Sequence, residues 1–150
     1  MIRVASTAIA ALLIAACSSA PKPTTLDLSL VASEQLNPTI QRRPSPAVVR
    51  YFELKNTAGF ESADYNGLFD GDKDKLTLGA DLVERKEFFI KPGETAPIVK
   101  ELAAGTTAIG VAVGFRALDR AAWRVVVPIK PNAKNVVVMQ LDALAITVKK

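Results

Sequence analysis

Residues 26–32 read LDLSLVA. Leu26, Leu28 and Leu30 fall on one face of an extended chain, Asp27 and Ser29 on the other. A helix repeats its faces every 3.6 residues, so this alternation commits the stretch to a strand with one buried side. Similar signals recur to the end of the chain. AVVRYFELK (residues 47–55) is rich in β-branched and aromatic residues and reads as a second strand. LVERKEFFIKPGE predicts a strand over about 83–90, then a turn at Pro92-Gly93. TAPIVKEL follows, and Pro97, which has no N–H to give a ladder, places that strand at a sheet edge. AIGVAVGFRA, WRVVVPIK and NVVVMQLDALAITVKK supply further strand-like runs, with turn-like ALDRAA and PNAKN between them. Several short strands at regular spacing predict an all-β sandwich. No long amphipathic helix and no internal repeat is visible.

Residues 60–81 break the pattern. Around ESADYNGLF the spacing suits a short helical turn carrying Phe60, Ala63, Leu68 and Phe69. DGDKDK after it reads as a solvated loop. Its three aspartates invite a calcium reading, which the spacing does not support. Counted from Asp70, the sixth position is Lys75 where a glycine is needed, and the twelfth is Asp81 where a glutamate is needed. A charged surface loop is the expectation, and no metal site is assigned.

Other chemistry is thin. The chain has no histidine, so the usual general base and the commonest transition-metal ligand are missing. Ser45 lies between two prolines, and nothing specific points to a Ser–Lys dyad. Gly105, Gly110 and Gly114 are spaced along strand-like sequence and mark bulges or close packing, not a phosphate loop. Trp123 opens an apolar strand and is expected in the core with Arg124 outward; an exposed aromatic anchor is the alternative. No catalytic residue, cofactor or metal is assigned, and an enzyme is not expected. At 150 residues, 49% hydrophobic and 23% charged, the chain suits one globular domain with a real core. Its net charge of +4 comes from interspersed acids and bases, which gives little support to nucleic-acid binding.

The first residues, MIRVASTAIAALLIAACSSAPKPTT, are of another kind. Arg3 gives a positive start, residues 8–16 are an unbroken apolar run, and the run is too short to span a bilayer comfortably. This is the layout of a secretory signal peptide. Leu13-Ile14-Ala15-Ala16-Cys17 resembles the bacterial lipobox, in which small residues precede a cysteine acylated through its sulfur. Cys17 is the lone cysteine, so no internal disulfide is available. The expected organisation is a signal peptide over 1–16, a lipidated tether over 17–25 and a β-sandwich domain over 26–150. Ser18 stands where enterobacterial lipoproteins kept in the inner membrane carry Asp, so outer-membrane anchoring with a periplasmic domain is expected.

An ordered set of features runs through the rest: Asn37-Pro38, Arg43-Pro44-Ser45-Pro46, Val48-Val49-Arg50, Glu53-Leu54-Lys55, Phe60, Ala63-Asp64-Tyr65, Leu68-Phe69, Leu78-Gly79-Ala80-Asp81-Leu82 and Pro92-Gly93-Glu94. IGVAVGFRALDRAAWRVVVPI extends it. The set resembles the type VI secretion lipoprotein family TssJ, also called SciN or VasD. One departure is Arg42, where that family usually has Gly before Arg-Pro-Ser-Pro; Arg resists the positive φ that Gly permits. The resemblance implies a transthyretin-like two-sheet β-sandwich with a small helical insertion, lipid-anchored in the outer membrane. It also implies a partner: the periplasmic domain of a TssM-like inner-membrane protein, with TssL in the same complex. The contact would lie in the loop between the first two strands, residues 33–47, through Leu36, Asn37, Pro38, Ile40, Arg42, Arg43 and Pro44. Three prolines pre-order that loop, and its arginines suit acids on a partner. Leu36 and Ile40 are apolar anchors, or else fold back onto the sandwich. The competing reading is a periplasmic lipoprotein holding a small ligand inside such a sandwich.

Overall fold

The structure is a computed structural model that describes residues 20–149; the expected signal peptide and Cys17 lie outside them. Eight strands form: β1 (Thr25–Ala32), β2 (Ala47–Leu54), β3 (Leu82–Ile90), β4 (Thr95–Glu101), β5 (Ala108–Gly114), β6 (Arg124–Pro128), β7 (Lys134–Leu141) and β8 (Ile146–Lys149). Three short helices, α1 (Ala58–Ser62), α2 (Tyr65–Phe69) and α3 (Lys73–Leu78), lie between β2 and β3. One sheet has the order β4-β1-β7-β8, the other β3-β2-β5-β6. All pairings are antiparallel except β1 with β7. The expected two-sheet β-sandwich with a small helical insertion is therefore what the chain forms. Pro97 sits on edge strand β4, as its missing N–H requires.

Period 2 sets the core. Leu26, Leu28, Leu30 and Ala32 of β1 point inward and are buried against Val49, Tyr51, Ile109, Val111, Val113, Met139 and Leu141. Strand β2 does not alternate, because both of its faces are covered. Phe52 and Leu54 point away from the main core and pack under the insertion against Phe60, Leu68 and Leu78. Gly110 lies under that lid. A Cβ there would come within 2.9 Å of the Phe60 ring, which accounts for the glycine by close approach.

The insertion corrects two expectations. DGDKDK is not a solvated loop: α3 begins at Lys73, and Asp74 has no exposed surface. Arg85 Nη1 donates to both carboxylate oxygens of Asp74, at 2.9 and 3.1 Å, and its Nη2 lies 3.0 Å from Asp72. Arg50, on β2, stands 3.6 Å from Asp74 and donates to the carbonyls of Leu68 (2.5 Å) and Gly71 (3.2 Å) and to Glu87 (2.5 Å). Asp74 is the counterion for two guanidiniums, and burial is tolerable only because it is paired this closely. The second correction concerns Arg124, which does not project freely into solvent. Its guanidinium lies 4.7 Å from the centre of the half-buried Trp123 ring. It also donates to the carbonyls of Phe60 (2.9 Å), Glu61 (2.5 Å) and Ala63, the unsatisfied groups at the end of α1.

The strands run between two poles. One pole gathers the β1–β2 loop, the β3–β4 turn, the β5–β6 loop and the β7–β8 turn. The other gathers the chain's entry into β1 and the β4–β5 and β6–β7 turns. Along one side the sheets are joined by Ala122 and Ala145, with the Ala122 N–H on the Leu144 carbonyl at 2.9 Å. On the opposite side Lys100 of β4 reaches Glu53 of β2 at 2.5 Å and also pairs with Glu84 of β3.

Candidate partner-binding loop

The β1–β2 loop has a locked base and a bare tip. At the base, Leu36 is fully buried in the main core. Its N–H turns back to the Ser33 carbonyl at 3.1 Å, which folds the side chain inward. Asn37, 2% exposed, takes a positive φ of 48°, a region asparagine tolerates better than most residues. Each of its polar groups has a partner. The backbone N–H donates to the Ala143 carbonyl (3.0 Å), and Nδ2 donates to the Pro46 carbonyl (2.8 Å). Oδ1 accepts the Arg116 N–H (2.8 Å), and the carbonyl accepts the Ser45 hydroxyl (2.6 Å). Ser45 Oγ in turn accepts Arg116 Nε at 3.1 Å, so this hydroxyl is a strut between loops. The β3–β4 turn supports the base from outside: Gly93, at φ 75°, donates its N–H to the Ser33 carbonyl at 3.2 Å. A Cβ on Gly93 would also strike Glu34 at 2.5 Å.

The tip spans residues 39–43. The Arg42 N–H donates to the Thr39 carbonyl at 2.9 Å, and the Thr39 N–H to the Arg43 carbonyl at 2.8 Å. The Arg43 N–H also reaches Thr39 Oγ1 at 3.2 Å. This is a tight turn followed by one residue in the left-handed region, a position that favours glycine. Arg42 holds it, at φ 61°. The departure seen in the sequence therefore falls on the tip position that wants glycine most. Ile40, on the crest of the turn, is 98% exposed. Arg42, Arg43 and Pro44 are also exposed, and Pro38 is half-buried. Among the described residues neither Arg42 nor Arg43 makes an ion pair. Beside the tip, residues 38–41 with Arg116 and Arg120 line an open cleft of about 390 Å³.

The candidate residues therefore divide. Ile40, Arg42, Arg43 and Pro44 share one exposed surface with Pro38 at its edge. Leu36 and Asn37 lie beneath it, and Leu36 takes the fold-back course that its apolar character equally allowed. Arg116, which joins the two loops from the neighbouring β5–β6 connection, was not singled out as a site residue. The only sequence signal for it was the Phe-Arg pair that ends the glycine-interrupted strand.

A second polar cluster sits inside the sandwich near the opposite pole. Glu53 is fully buried and accepts the Tyr51 hydroxyl (3.2 Å), the Ala103 N–H (3.0 Å) and the Thr106 hydroxyl (3.0 Å), besides pairing with Lys100. Burial, reinforced by the Glu53 charge, pushes the Tyr51 hydroxyl far above its ordinary range. The Lys100 hydrogen bond holds the Glu84 carboxyl below its ordinary range. These groups satisfy one another and fasten β2 to β4 and to the turn at 103–106. Their arrangement is that of a tie between elements.

A model of the family described as type VI secretion lipoprotein, VasD, EvfM, TssJ matches residues 24–144. No curated protein sequence matches the chain. Among solved structures, the lipoprotein TssJ1 from Pseudomonas aeruginosa is 36% identical with a TM-score of 0.81, over 85% of this chain and 95% of that one. A chain from a structure described as the type VI membrane complex is 28% identical, TM-score 0.74, over 86% and 100%. A chain from a structure described as the TssM C-terminal domain from EAEC is 26% identical, TM-score 0.70, over 85% and 98%. A family match over most of the chain, joined to the sandwich and insertion described above, settles membership: the chain belongs to the family of type VI secretion lipoproteins that includes VasD, EvfM and TssJ.

Proposed function

We propose that this lipoprotein is anchored in the outer membrane by lipid on Cys17 and holds the periplasmic domain of a TssM-like inner-membrane protein, in one envelope-spanning complex with TssL. The observation that carries the reading is the tip of the β1–β2 loop. Ile40, 98% exposed, stands together with the unpaired Arg42 and Arg43 on a turn whose base is fixed by hydrogen bonds, so the tip offers a preformed apolar and charged surface, which an isolated exposed residue does not. The locked base removes most of the ordering cost that a mobile loop would incur on docking. Ile40 supplies apolar area. Arg42 and Arg43 supply charges that need an acidic counterpart, and these add more to orientation and association rate than to affinity.

The fold suits an anchor under tension. Strand β1 runs from the tether straight into the docking loop, with β4 on one side and β7 on the other. A pull between membrane and partner then loads two hydrogen-bonded ladders in shear, along the strand, and must break many bonds together. The alternative of a small ligand between the sheets finds less support, since Leu28, Tyr51, Val111 and Met139 fill that interior and are fully buried.

The test is a titration of residues 24–150 against the periplasmic domain of the cognate TssM-like protein. Changing Arg42 and Arg43 together to Glu should weaken binding at least tenfold at unchanged melting temperature. Unchanged affinity would move the interface elsewhere. In parallel, Cys17→Ser should abolish outer-membrane fractionation while the domain still folds.

A further inference from the structure

The pole opposite the docking loop has a composition and a position that the anchor alone does not explain. Residues 21–24 lie against this pole and line one cleft with the turns at 101–107 and 131–132. They are fixed there by the Leu102 N–H on the Thr24 carbonyl (2.9 Å) and the Asn132 N–H on Thr24 Oγ1 (2.9 Å). Pro21 is four residues from Cys17, and four residues extend at most about 14 Å. An acylated Cys17 therefore keeps this pole within a short reach of the bilayer surface. The tip of the pole is made of Ala103, Ala104 and Gly105, all exposed and all small, so nothing bulky props it away from a flat surface. Exposed lysines surround it. The Lys55 stem runs beside Gly105, 3.6 Å from where a Cβ would stand. Lys22 lines the cleft, and Lys130 flanks the β6–β7 turn. Among the described residues the acids near this pole include Asp81, whose carbonyl accepts the Lys55 N–H, Glu101, and Asp27, which pairs with Lys134 at 3.2 Å. None of Lys22, Lys55 and Lys130 makes an ion pair among the described residues.

We propose that this pole rests on the phospholipid surface, with Lys22, Lys55 and Lys130 meeting anionic headgroups, so that the domain stands upright with its docking loop pointing away from the membrane. The proposal depends on the lipid anchor at Cys17 assigned above. Each lysine near an anionic surface contributes about fivefold in local binding. Because the tether already holds the pole at the surface, three such contributions are enough to bias orientation without any affinity of the free domain. Standing upright places Ile40 farther from the lipid than Ala104 by roughly the length of β1, about 26 Å for its eight residues.

The test uses the mature lipidated protein in vesicles of phosphatidylethanolamine with phosphatidylglycerol. With Cys17 acylated, Ala104→Cys or Ile40→Cys introduces a single free thiol for a fluorescent donor, read against a headgroup acceptor. Strong energy transfer from position 104 and weak transfer from position 40 is expected. The contrast should shrink when phosphatidylglycerol is left out, and when Lys22, Lys55 and Lys130 are all changed to Glu. Equal transfer from the two positions in the anionic vesicles, or a contrast indifferent to the triple change, overturns the proposal. A chain that does not float with the vesicles overturns the anchor, and the proposal with it; a chain that floats with equal transfer overturns the proposal alone.

Discussion

The β1–β2 loop and the helical insertion are both excursions from the sandwich, and they handle charge in opposite ways. The insertion turns its charge inward: Asp74 is fully buried between Arg85 and Arg50, and Arg124 closes the end of α1. The loop turns its charge outward. Arg42 and Arg43 face solvent beside Ile40, while the uncharged Asn37 and Ser45 carry the hydrogen bonds beneath. The difference separates the roles. Paired, buried charge makes the insertion a fixed lid over Phe52 and Gly110. Unpaired, exposed charge on a fixed base leaves the loop's tip open, as the docking role proposed above requires.

The strongest way to break this comparison is at Asp74. Asp74→Ala removes the one buried counterion shared by two guanidiniums and leaves them with only the exposed carboxylates of Glu87 and Asp72, which should destabilise the domain by about 3 kcal/mol or somewhat more. Denaturant unfolding reads the loss. Binding of the partner domain, measured well below the melting temperature, should not change. A stability loss under about 1 kcal/mol would mean that the Asp74 cluster is a surface network of the ordinary weak kind.

Next in size is a pair within the loop itself. Leu36→Ala opens a cavity in the main core and should cost about 2–5 kcal/mol, with affinity falling only as folded protein is lost. Ile40→Asp should leave the melting temperature within a degree or two of wild type and weaken partner binding tenfold or more, as loss of an interface anchor does. The sharp outcome is a crossed pattern: stability without binding at one residue, binding without stability at the other. If Ile40→Asp also lowered stability, or Leu36→Ala spared it, the division of the loop into base and tip would fail.

How much of this was legible in the sequence depends on the range of the interactions involved. Strands β1 to β8 were readable because alternation and β-branched runs are local signals, and Pro97 marked its edge by a missing donor. The buried pairing of Asp74 was not. DGDKDK carries the composition of a solvated loop, and what reverses that reading is Arg85, eleven residues away, and Arg50, twenty-four away on another strand. Glu53 is similar: its partners at 100, 103 and 106 come from a different sheet and a turn. In the loop, sequence marked Leu36 and Ile40 alike as apolar residues among polar ones. Only the turn from Leu36 to Ser33 and the packing of the two sheets assign one to the core and the other to solvent.

The smallest expected effect is at Arg42, and it tests the tip most finely. A non-glycine residue in the left-handed region costs about 1 kcal/mol or somewhat more. Arg42→Gly relieves that strain. It also gives the unfolded chain more freedom to lose, which offsets about 0.5–1 kcal/mol. The net change should lie between about 0 and +1 kcal/mol in favour of folding, seen as a rise in melting temperature of a few degrees at most. Affinity discriminates better. If Arg42 serves the partner through its charge, the glycine variant binds more weakly, and the weakening shrinks as salt is raised and screens the pair. If Arg42 serves only to close the turn, Arg42→Gly binds at least as tightly as wild type at every salt concentration. That result would leave Ile40 and Arg43 as the residues through which the tip engages its partner.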